Sequence, residues 1–592
     1  MLISERISDY FSKNNLENVF MVTGGAAMFL NDSLTRNKNL HTTFFHHEQS
    51  CAMAAEAYAR IKGIPPILCL TAGPGGINSL NGIFGAFNDS LPVIVLSGQV
   101  RTETLNRNED LRQLGDQEAP ITSIVKSITK YSKTITNPNE IDYELNKALH
   151  IATTGRPGPV WLDIPINIQS SEYIKQNQKK VTKYPKSKTK QSEFQKLNLL
   201  YKQIKKSNRP VILVGSGIRL SNQVDEFFNF IKKFDIPVIT GFNGHDLMWE
   251  KNPKYVGRAG TIGNRSGNLI LECADLLIVL GSRLNIRQIG YNYNSFGKNK
   301  FFCYVDIDKA ELNKPTLKNI DLKINVDLID YFKFFKRKSE NKNENHKKFL
   351  NWSKRIHNKY GPKFEEFPKV KNVNPYKFTS ELSNHLKAND VITFSNATAG
   401  IVPNQALELK KGQRFFGSSG SGSMGFGIPS SIGASLASKH RVICFEGDGS
   451  IQMNIQELAT IYHNKLNIKI FIFSNNGYHS IRQTQENYFK DNLVGLDNAT
   501  GLSFPDYKII SAAYGIDYLR INSHKDTKDN LEIILNNKRP VICEVVLDKN
   551  INYQPKVSSK KDASGKIVSA NLYDMSPFLD KDELEKILSI KK

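Results

Sequence analysis

Residues 445–478 read "FEGDGSIQMNIQELATIYHNKLNIKIFIFSNNGY" and contain two polar clusters, one around "GDG" and one around "NNG". The apolar runs before them, "RVICFE" and "IKIFIFS", predict two short buried strands. Between the runs, apolar residues recur at three- and four-residue steps, which predicts an amphipathic helix and therefore parallel strands on either side of it. These residues are Ile451, Ile455, Leu458, Ala459 and Tyr462.

Each polar cluster directly follows a predicted strand. Because the carboxyl ends of parallel strands open on the same edge of a sheet, we expect Asp448 and Asn475 to lie near one ligand there. Two oxygen donors beside a flexible glycine suit Mg²⁺ that holds a diphosphate.

Length and composition narrow the class of protein. A chain of 592 residues is too long for one core, so we expect two to four domains, and its 40% hydrophobic and 23% charged residues are ordinary for a soluble globular enzyme. No apolar run approaches the roughly 18 residues of a membrane span, and the first 20 residues lack an apolar signal core, which predicts a cytoplasmic location. Six cysteines without a CxxC pair predict reduced thiols, with neither disulfides nor zinc.

The net charge of +23 could indicate a nucleic-acid partner. However, the excess concentrates in the Lys- and Asn-rich stretches 175–191 and 335–355, which are typical of solvated linkers and faces, and no basic-aromatic RNA-binding motif accompanies them. We therefore expect no nucleic-acid and no membrane partner.

Those two stretches separate three blocks in which short apolar runs alternate with helical patterns. The runs are "PPILCLT", "PVIVLSG" and "PVWLDIP" in the first block, "RPVILVGSGIRL", "IPVITGFNG", "ADLLIVLGSR" and "FFCYVDID" in the second, and "DVITFS", "RVICFEGDG", "IKIFIFSNN" and "RPVICEVVLD" in the third. This alternation predicts an α/β protein with three doubly wound parallel-sheet domains.

The ordered motifs "FHHEQSCAMAAEAYAR", "TAGPGGINSLNGIFGAFNDSLPVIVLSGQV", "GDQE", "GRPGPVWLDIP", "SMGFGIPSSIGA" and "GDGSIQMNIQELATI" resemble those of the thiamine diphosphate (ThDP) enzymes of the acetolactate synthase large-subunit type. The resemblance covers nearly the whole chain. It implies a pyrimidine-binding domain (1–170), a middle FAD-type domain (190–335), a diphosphate-binding domain (373–550) and a tail over the active site (551–592). It also implies a homodimer or tetramer in which the coenzyme bridges the first domain of one subunit and the third of another.

The resemblance gives Glu48 the role of the carboxyl group on the coenzyme's aminopyrimidine ring, for which burial would have to raise its pKa. The alternative is a helix-terminal Glu favoured by the helix dipole. Gln117 and Gly25 match positions that line the reaction pocket, although Gly25 could simply serve a tight turn. His46 and His47 have no ligand-spaced partner and are interpreted as structural.

For the metal and the diphosphate, the resemblance implies Mg²⁺ ligands at Asp448, Asn475 and the carbonyl group of Gly477. It makes Met424 the bulky residue that holds the coenzyme bent, with core filling as the alternative. The remaining coenzyme-binding residues of the motif are Gly447, Gly449 and Ser450.

In the middle domain, "GSRLNIRQ" resembles the run with which acetolactate synthases hold FAD. Arg283 and Arg287 would clamp the flavin pyrophosphate, and Asp306 in "VDIDKAEL" would contact the cofactor. The alternative is a flavin-free domain, because related ThDP enzymes keep this fold without flavin and Asn285 replaces an acidic residue.

Two positions depart from the acetolactate synthase pattern. Ile166 stands in place of a Lys, and Thr484 in place of a Trp that helps to select the acceptor; Arg482 could supply the missing charge. Such variants resemble ThDP flavoenzymes that add a two-carbon unit to a nucleotide-linked keto sugar. Lys560 and Lys561 in the tail could hold the diphosphate of such a sugar nucleotide, or they could belong to a solvated loop.

The sequence thus predicts a ThDP- and Mg²⁺-dependent decarboxylase and carboligase of acetolactate synthase type, with FAD as a further cofactor. Its expected substrates are pyruvate or a close 2-oxoacid as donor and a second carbonyl compound as acceptor. The alternatives are transfer to a nucleotide-linked keto sugar, a ThDP oxidase or simple decarboxylase, and a non-catalytic regulatory or nucleic-acid-binding protein.

Overall fold

Three six-stranded parallel sheets organise the chain, one in each predicted block, in a computed structural model. For Lys560, Lys561 and Ile567 only the backbone is described. The structure describes residues 1–592 except 107, 109, 176–188, 341–342, 364, 490–491, 562–566 and 592.

The first sheet has the order β2-β1-β3-β4-β6-β5. Its strands are β1 (Asn18–Met21), β2 (His41–Phe44), β3 (Ile67–Leu70), β4 (Ile94–Gln99), β5 (Tyr131–Thr134) and β6 (Val160–Pro165). The helices around it are α1 (Ile3–Lys13), α2 (Met28–Arg36), α3 (Glu48–Lys62), α4 (Pro74–Asn78), α5 (Leu80–Asn88), α6 (Ile121–Ile124), α7 (Ile141–Thr153) and α8 (Ile166–Gln169).

The second sheet has the order β12-β11-β10-β7-β8-β9. Its strands are β7 (Pro210–Val214), β8 (Val238–Thr240), β9 (Tyr255–Arg258), β10 (Leu276–Leu280), β11 (Phe301–Asp306) and β12 (Leu322–Asn325). The helices are α9 (Gln191–Lys206), α10 (Gly217–Leu220), α11 (Val224–Lys232), α12 (Arg265–Cys273), α13 (Ile286–Ile289), α14 (Lys309–Leu312), α15 (Leu328–Lys336) and α16 (Glu344–Tyr360).

The third sheet has the order β14-β13-β15-β16-β18-β17. Its strands are β13 (Val391–Phe394), β14 (Arg414–Gly417), β15 (Val442–Gly447), β16 (Ile468–Ser474), β17 (Asp517–Ile521) and β18 (Val541–Val546). The helices are α17 (Pro375–His385), α18 (Ala397–Ala406), α19 (Gly427–Ser438), α20 (Leu458–His463), α21 (His479–Phe489), α22 (Tyr507–Ala513) and α23 (Thr527–Asn536), and the tail adds the antiparallel pair β19 (Ser559–Lys561) and β20 (Ile567–Ser569) and helix α24 (Lys581–Leu588).

The central strands read as continuous apolar runs because helices cover both faces of each sheet. All residues of β7 and β10 are buried, as are those of β3 and β4. The predicted α/β class with three parallel-sheet domains is confirmed.

Two sequence expectations differ from the structure. The segment between β15 and β16 contains two 3₁₀ turns followed by the short α20 rather than one helix, and Tyr462, expected on its buried face, is 54% exposed. The stretch 335–355, expected to be a solvated linker, includes most of α16, which buries Phe349, Leu350 and Ile356 against the middle domain. Most of the stretch 175–191 lies outside the described residues.

The first and third domains of the chain pack through α3 and α19. Small residues allow this close approach: a Cβ atom on Gly433 of α19 would lie 2.0 Å from the carbonyl oxygen of Ala54 in α3. The contact brings the amino end of α3 against the loop that follows β15.

The middle domain joins the other two through Asp89. Its carboxylate accepts hydrogen bonds from Arg60 (2.8 Å) of the first domain and from Asn243 (2.9 Å) and Arg283 (3.3 Å) of the middle domain. Asn243 also donates to Ser419 Oγ of the third domain at 2.7 Å. This polar junction is one of several contacts that join the middle domain to the other two, together with the ion pairs Arg156–Asp308 and Arg414–Asp246.

The six cysteines are all free and buried, as the sequence predicts. Among the described residues, no helix combines the length and apolar character that a membrane span requires. The cytoplasmic location stays a prediction.

Candidate active site

The carboxyl ends of β15 and β16 meet where Gly447 pairs with Phe473. The Asp448 carboxylate in the turn after β15 accepts hydrogen bonds from the backbone N–H groups of Asn475 (3.0 Å) and Gly477 (3.2 Å) in the turn after β16. The two polar turns expected to share one ligand are therefore joined directly by this carboxylate.

The oxygen atoms at this junction suit a divalent cation. Asp448 is 3% exposed, and burial raises its pKa to about 6 although the backbone N–H groups lower it. Oδ1 of Asn475 is buried without a hydrogen-bond partner among the described residues. A buried carboxylate beside an orphaned amide oxygen is an arrangement that a hard cation satisfies.

Only one carboxylate contributes to this junction, and the described residues contain no cluster of three or more His, Cys, Asp or Glu side chains that could hold a metal ion. A cation bound here would therefore need further oxygen atoms from a ligand such as a diphosphate. The residues present fit Mg²⁺ in that setting.

Glycines keep the two turns close to their neighbours. A Cβ atom on Gly449 would lie 2.0 Å from the ring of Tyr478, and Gly477 has a φ of +148°. The hydroxyl group of Tyr507 donates to the carbonyl oxygen of Asp448 and thereby stabilises the turn after β15.

Ser450 connects the turn after β15 to the segment that carries Met424. Its hydroxyl oxygen accepts a hydrogen bond from the N–H of Gly425 (2.8 Å) and lies 2.6 Å from Ser395 Oγ. Met424 is half-buried at the edge of the turn. The structure therefore places Gly425, the residue after Met424, in contact with Ser450, two residues beyond Asp448.

Glu48 is the first residue of α3, whose amino end is capped by the His47 side chain accepting from the N–H of Gln49 (3.1 Å). Asn78 donates to Glu48 Oε2 at 3.0 Å, and in the single chain the carboxyl group is only half-buried. The backbone N–H groups of His46 and His47 donate to Glu457 in the third domain.

Glu48 at the start of α3, Gly25 at the start of a 3₁₀ turn and the loop residue Gln117 lie around residues 71–75 at the end of β3. Cβ atoms built on Gly24 and Gly75 approach Thr71, and the one on Gly75 lies 3.5 Å from Glu48 Oε1; one on Gly73 would lie 2.2 Å from the Gln117 carbonyl oxygen. A Cβ atom on Gly25 would meet nothing within 4 Å, and its φ is not positive, so neither packing nor a left-handed turn requires this glycine. Open space borders Gly25, as expected of a pocket residue.

In the middle domain, the structure separates the three residues expected to hold a flavin. Arg283 lines a pocket at the carboxyl ends of β7, β8 and β10, where the strand order switches direction. Arg287 is exposed and does not line this pocket, and neither does Asp306, a buried residue at the end of β11 whose pKa burial raises to about 7. The other lining residues are Asp89, Gly215, Ser216, Phe242, Asn243, Ser282, Leu284, Asn285, Gln288 and Ser419.

Two residues near the junction of Asp448 and Asn475 were not predicted from the sequence. Asn475 Nδ2 lies 3.4 Å from Thr398 Oγ1, which in turn lies 2.7 Å from the hydroxyl group of Tyr553 in the tail. The polar turn "SNAT" after the strand "DVITFS" is the sequence signal that could have identified Thr398. No local pattern identifies Tyr553, because only the folded tail places it there.

Arg482 lies beside Gly477 with its side chain nearly buried. It donates to Asp497 (2.7 Å) through Nη2, which lies 3.1 Å from a Cβ atom built on Gly477, whereas its Nη1 is buried without a partner among the described residues. Thr484 is exposed and Ile166 is half-buried. The side chains of Lys560 and Lys561 lie outside the described part of the structure.

Comparison with known proteins assigns the family. Three thiamine pyrophosphate enzyme family models match the chain: the N-terminal TPP binding domain at residues 1–119, the central domain at 197–330 and the C-terminal TPP binding domain at 398–545. The acetolactate synthase large subunit of Cyanidium caldarium is 30% identical over 575 residues, covering 94% of this chain and 95% of the relative. The chain belongs to the thiamine pyrophosphate enzymes of the acetolactate synthase large-subunit type.

Two further relatives also match over more than nine tenths of this chain. The acetolactate synthase large subunit of Lactococcus lactis subsp. lactis is 29% identical, covering 94% of both chains, and the chloroplastic acetolactate synthase of Arabidopsis thaliana is 28% identical, covering 92% of this chain and 81% of the relative. As a thiamine pyrophosphate enzyme, the chain carries Glu48 within the region matched by the N-terminal TPP binding model and Asp448 within the C-terminal one. A non-catalytic role is thereby set aside.

We predict that Asp448→Ala lowers Mg²⁺-dependent ThDP affinity by about 2 to 5 kcal/mol, the typical cost of deleting one partner of a buried charged contact. Isothermal titration calorimetry with and without Mg²⁺ measures this. Asp529→Ala removes an exposed carboxylate of the same domain and is the matched control. Unchanged affinity in Asp448→Ala would refute the metal site.

Proposed function

We propose that the protein is a ThDP- and Mg²⁺-dependent carboligase that takes a two-carbon unit from pyruvate or a close 2-oxoacid and joins it to a second carbonyl compound. The observation that carries this proposal is the junction of Asp448 with Asn475, whose Oδ1 has no partner in the described structure. The names of its relatives, which are acetolactate synthases, support the same reaction class.

Bound ThDP would supply a thiazolium carbon nucleophile and an electron sink for loss of CO₂. Asp448, Asn475 and the Gly477 carbonyl oxygen would hold the Mg²⁺ that neutralises the diphosphate, and Met424 would support the coenzyme from the neighbouring turn. Glu48 holds a proton at the aminopyrimidine ring, with Asn78 orienting its carboxyl group through the 3.0 Å hydrogen bond.

Glu48→Gln should leave ThDP bound while slowing hydrogen–deuterium exchange at the thiazolium carbon by roughly 10²- to 10⁴-fold, the usual contribution of a positioned acid–base group. Proton NMR after acid quench measures the exchange. Glu17→Gln, at an exposed carboxylate of the same domain, should exchange as fast as wild type. Wild-type exchange in Glu48→Gln would show that Glu48 is only a helix-terminal residue.

The active assembly is proposed to be a homodimer or a dimer of dimers. Glu48 is half-exposed in the single chain, and the neighbouring helices α4 and α5 present Ile77 (44% exposed) and Phe84 (42% exposed) to solvent. A second copy seated on this apolar surface would bury the carboxyl group and shield it from water.

Co-expression of Glu48→Gln and Asp448→Ala chains, each inactive alone, should restore roughly one quarter of wild-type activity, because random pairing gives half heterodimers with one intact site of two. Purification through two different tags isolates the heterodimer. No recovery in the doubly tagged fraction would mean that each site is built from a single chain.

FAD is proposed as a further cofactor, held in the middle-domain pocket lined by Arg283 and by Gly215 and Ser216 of the loop after β7. The pocket lies at the switch point of the parallel sheet, where dinucleotides bind in such folds. Because Arg283 lines this pocket and Arg287 does not, we assign the pyrophosphate contact to Arg283 alone.

The purified protein should be yellow, and Arg283→Ala should weaken flavin binding by about 1.5 to 3 kcal/mol, the contribution of a charge-assisted hydrogen bond. Absorbance near the flavin maximum and fluorescence of released flavin quantify occupancy. Arg287→Ala is the matched control and should keep its colour. Colourless, fully active wild type would instead make the middle domain purely structural.

A phosphorylated carbonyl compound, such as a nucleotide-linked keto sugar, is the second candidate acceptor. Arg482 favours it, because its buried Nη1 lacks a partner in the described structure while Asp497 occupies only the other terminal nitrogen. Ile166 offers no charge to a small anionic acceptor. Arg482 does carry a charge, and it lies beside Gly477 of the predicted metal site.

In a competition, a keto sugar nucleotide should outcompete pyruvate as acceptor, and Arg482→Met should raise its KM roughly 10- to 100-fold. Arg520→Met, at an exposed arginine of the same domain, is the control. Mass spectrometry of products from ¹³C-pyruvate resolves the outcomes. If acetolactate is the main product, the protein is a plain acetolactate synthase. Accumulation of aldehyde would indicate a decarboxylase, and accumulation of peroxide an oxidase.

A further inference from the structure

A cavity of about 200 Å³ lies in the middle domain, away from the coenzyme and flavin pockets. Its walls come from α12, from the loop 295–300 that leads into β11, and from the tail residues 571–573. Because Leu277 and Lys300 lie at the amino ends of β10 and β11, the cavity occupies the sheet edge opposite to the one that carries the flavin pocket.

The cavity combines an apolar floor with a positively charged rim. Leu271, Leu277, Ile289 and Phe296 form the floor. A ligand with an apolar body would bury surface against these side chains, and removing apolar surface from water favours binding.

The charge of the rim is not balanced. The side chain of Lys300 is 3% exposed, and its carboxylate partner, Glu272, lies 3.9 Å away. The other Glu272 oxygen pairs with Lys591 at 2.5 Å, and Lys298 also lines the cavity. Two ammonium groups, those of Lys300 and Lys591, therefore share one carboxylate, and the ion pair of the buried Lys300 is the longer of the two.

We propose that this cavity binds a small organic anion whose charged group pairs with Lys300 and whose apolar body contacts the floor. A buried ammonium group is costly unless it is paired and hydrogen-bonded. Among the described residues, the Lys300 ammonium group contacts the Lys298 carbonyl oxygen at 3.1 Å and Glu272 at 3.9 Å. Burial accordingly lowers the pKa of Lys300, and an anionic ligand would restore the charged form.

The ligand would act on the tail, because tail residues close the cavity. Asn571 accepts a hydrogen bond from Asn292 at 3.0 Å, and a few residues later Ser576 exchanges backbone hydrogen bonds with Lys556 (3.0 and 2.8 Å). Lys556 follows closely on Tyr553, whose hydroxyl group contacts Thr398 beside Asn475. Occupancy of the cavity would thus hold in place the segment that reaches the predicted coenzyme site, which makes this a regulatory site.

Benzoate is a suitable probe, with benzyl alcohol as its neutral counterpart. Calorimetry on the full-length protein should detect saturable benzoate binding. Benzyl alcohol should bind the wild type at least about tenfold more weakly than benzoate does, and benzoate should bind Lys300→Met at least about tenfold more weakly than it binds the wild type. Lys232→Met, which removes an exposed lysine of the same domain, should bind benzoate like wild type. Benzoate should also slow amide exchange at Lys556 and Ser576.

A second pair of variants keeps the test decisive if Lys300→Met does not fold. Ser295→Glu places a negative charge at the cavity wall and should abolish benzoate binding, whereas Ser295→Gln, of the same size, should retain it. Equal binding of benzoate and benzyl alcohol, or equal binding to the two Ser295 variants, would overturn the anion site. Binding without any change in amide exchange at Lys556 and Ser576 would overturn the regulatory role.

Discussion

The contact between α3 and α19 is the constraint on which the arrangement of the site depends. Gly433 in α19 leaves room for the Ala54 carbonyl group, so two helices from different domains approach as closely as backbones allow. This contact extends one hydrophobic core across both domains. Because buried interiors are packed as tightly as organic crystals, the position of α3 sets the position of Glu48 at its first residue.

Polar contacts then fix the amino end of α3 against the loop after β15. The side chains of Gln49 and Ser50 both donate to Asn454 Oδ1, at 3.2 and 2.8 Å, and Asn454 donates to the carbonyl oxygen of Gly425, next to Met424. The same loop begins with Asp448. Buried networks of this kind hold several loops to one geometry because every unpaired member would be costly. The half-sites that one chain would contribute to two different coenzyme sites of the proposed dimer are thus mechanically linked within that chain.

The middle domain is connected to both halves through Asp89 and through the tail. Arg283 donates a hydrogen bond to Asp89 and also lines the proposed flavin pocket. The same side chain therefore belongs to the domain junction and to the proposed flavin site. The tail connects the anion cavity to Tyr553 in the same way. These links give the middle domain two physical routes by which it can influence a reaction that takes place elsewhere.

The sequence alone determined the features that depend on local patterning. Apolar runs ending in "GDG" and "NNG" were enough to predict two parallel strands with Asp448 and Asn475 at one edge, because parallel strands fix which ends coincide. The three sheets and the family also follow from ordered local motifs. The two 3₁₀ turns before α20 could not be predicted from local patterning, because a spacing of three or four residues is compatible with either helix type.

Only the tertiary structure decided which distant side chains meet. Arg283 and Arg287 have the same chemistry and lie four residues apart, yet just one lines the pocket, because α13 begins between them and turns the second outward. Tyr553 reaches Thr398, and Lys300 becomes buried beside Glu272, through packing between segments far apart in the chain. Such contacts leave no periodic trace in the sequence, since they arise from the docking of whole elements rather than from local backbone preference.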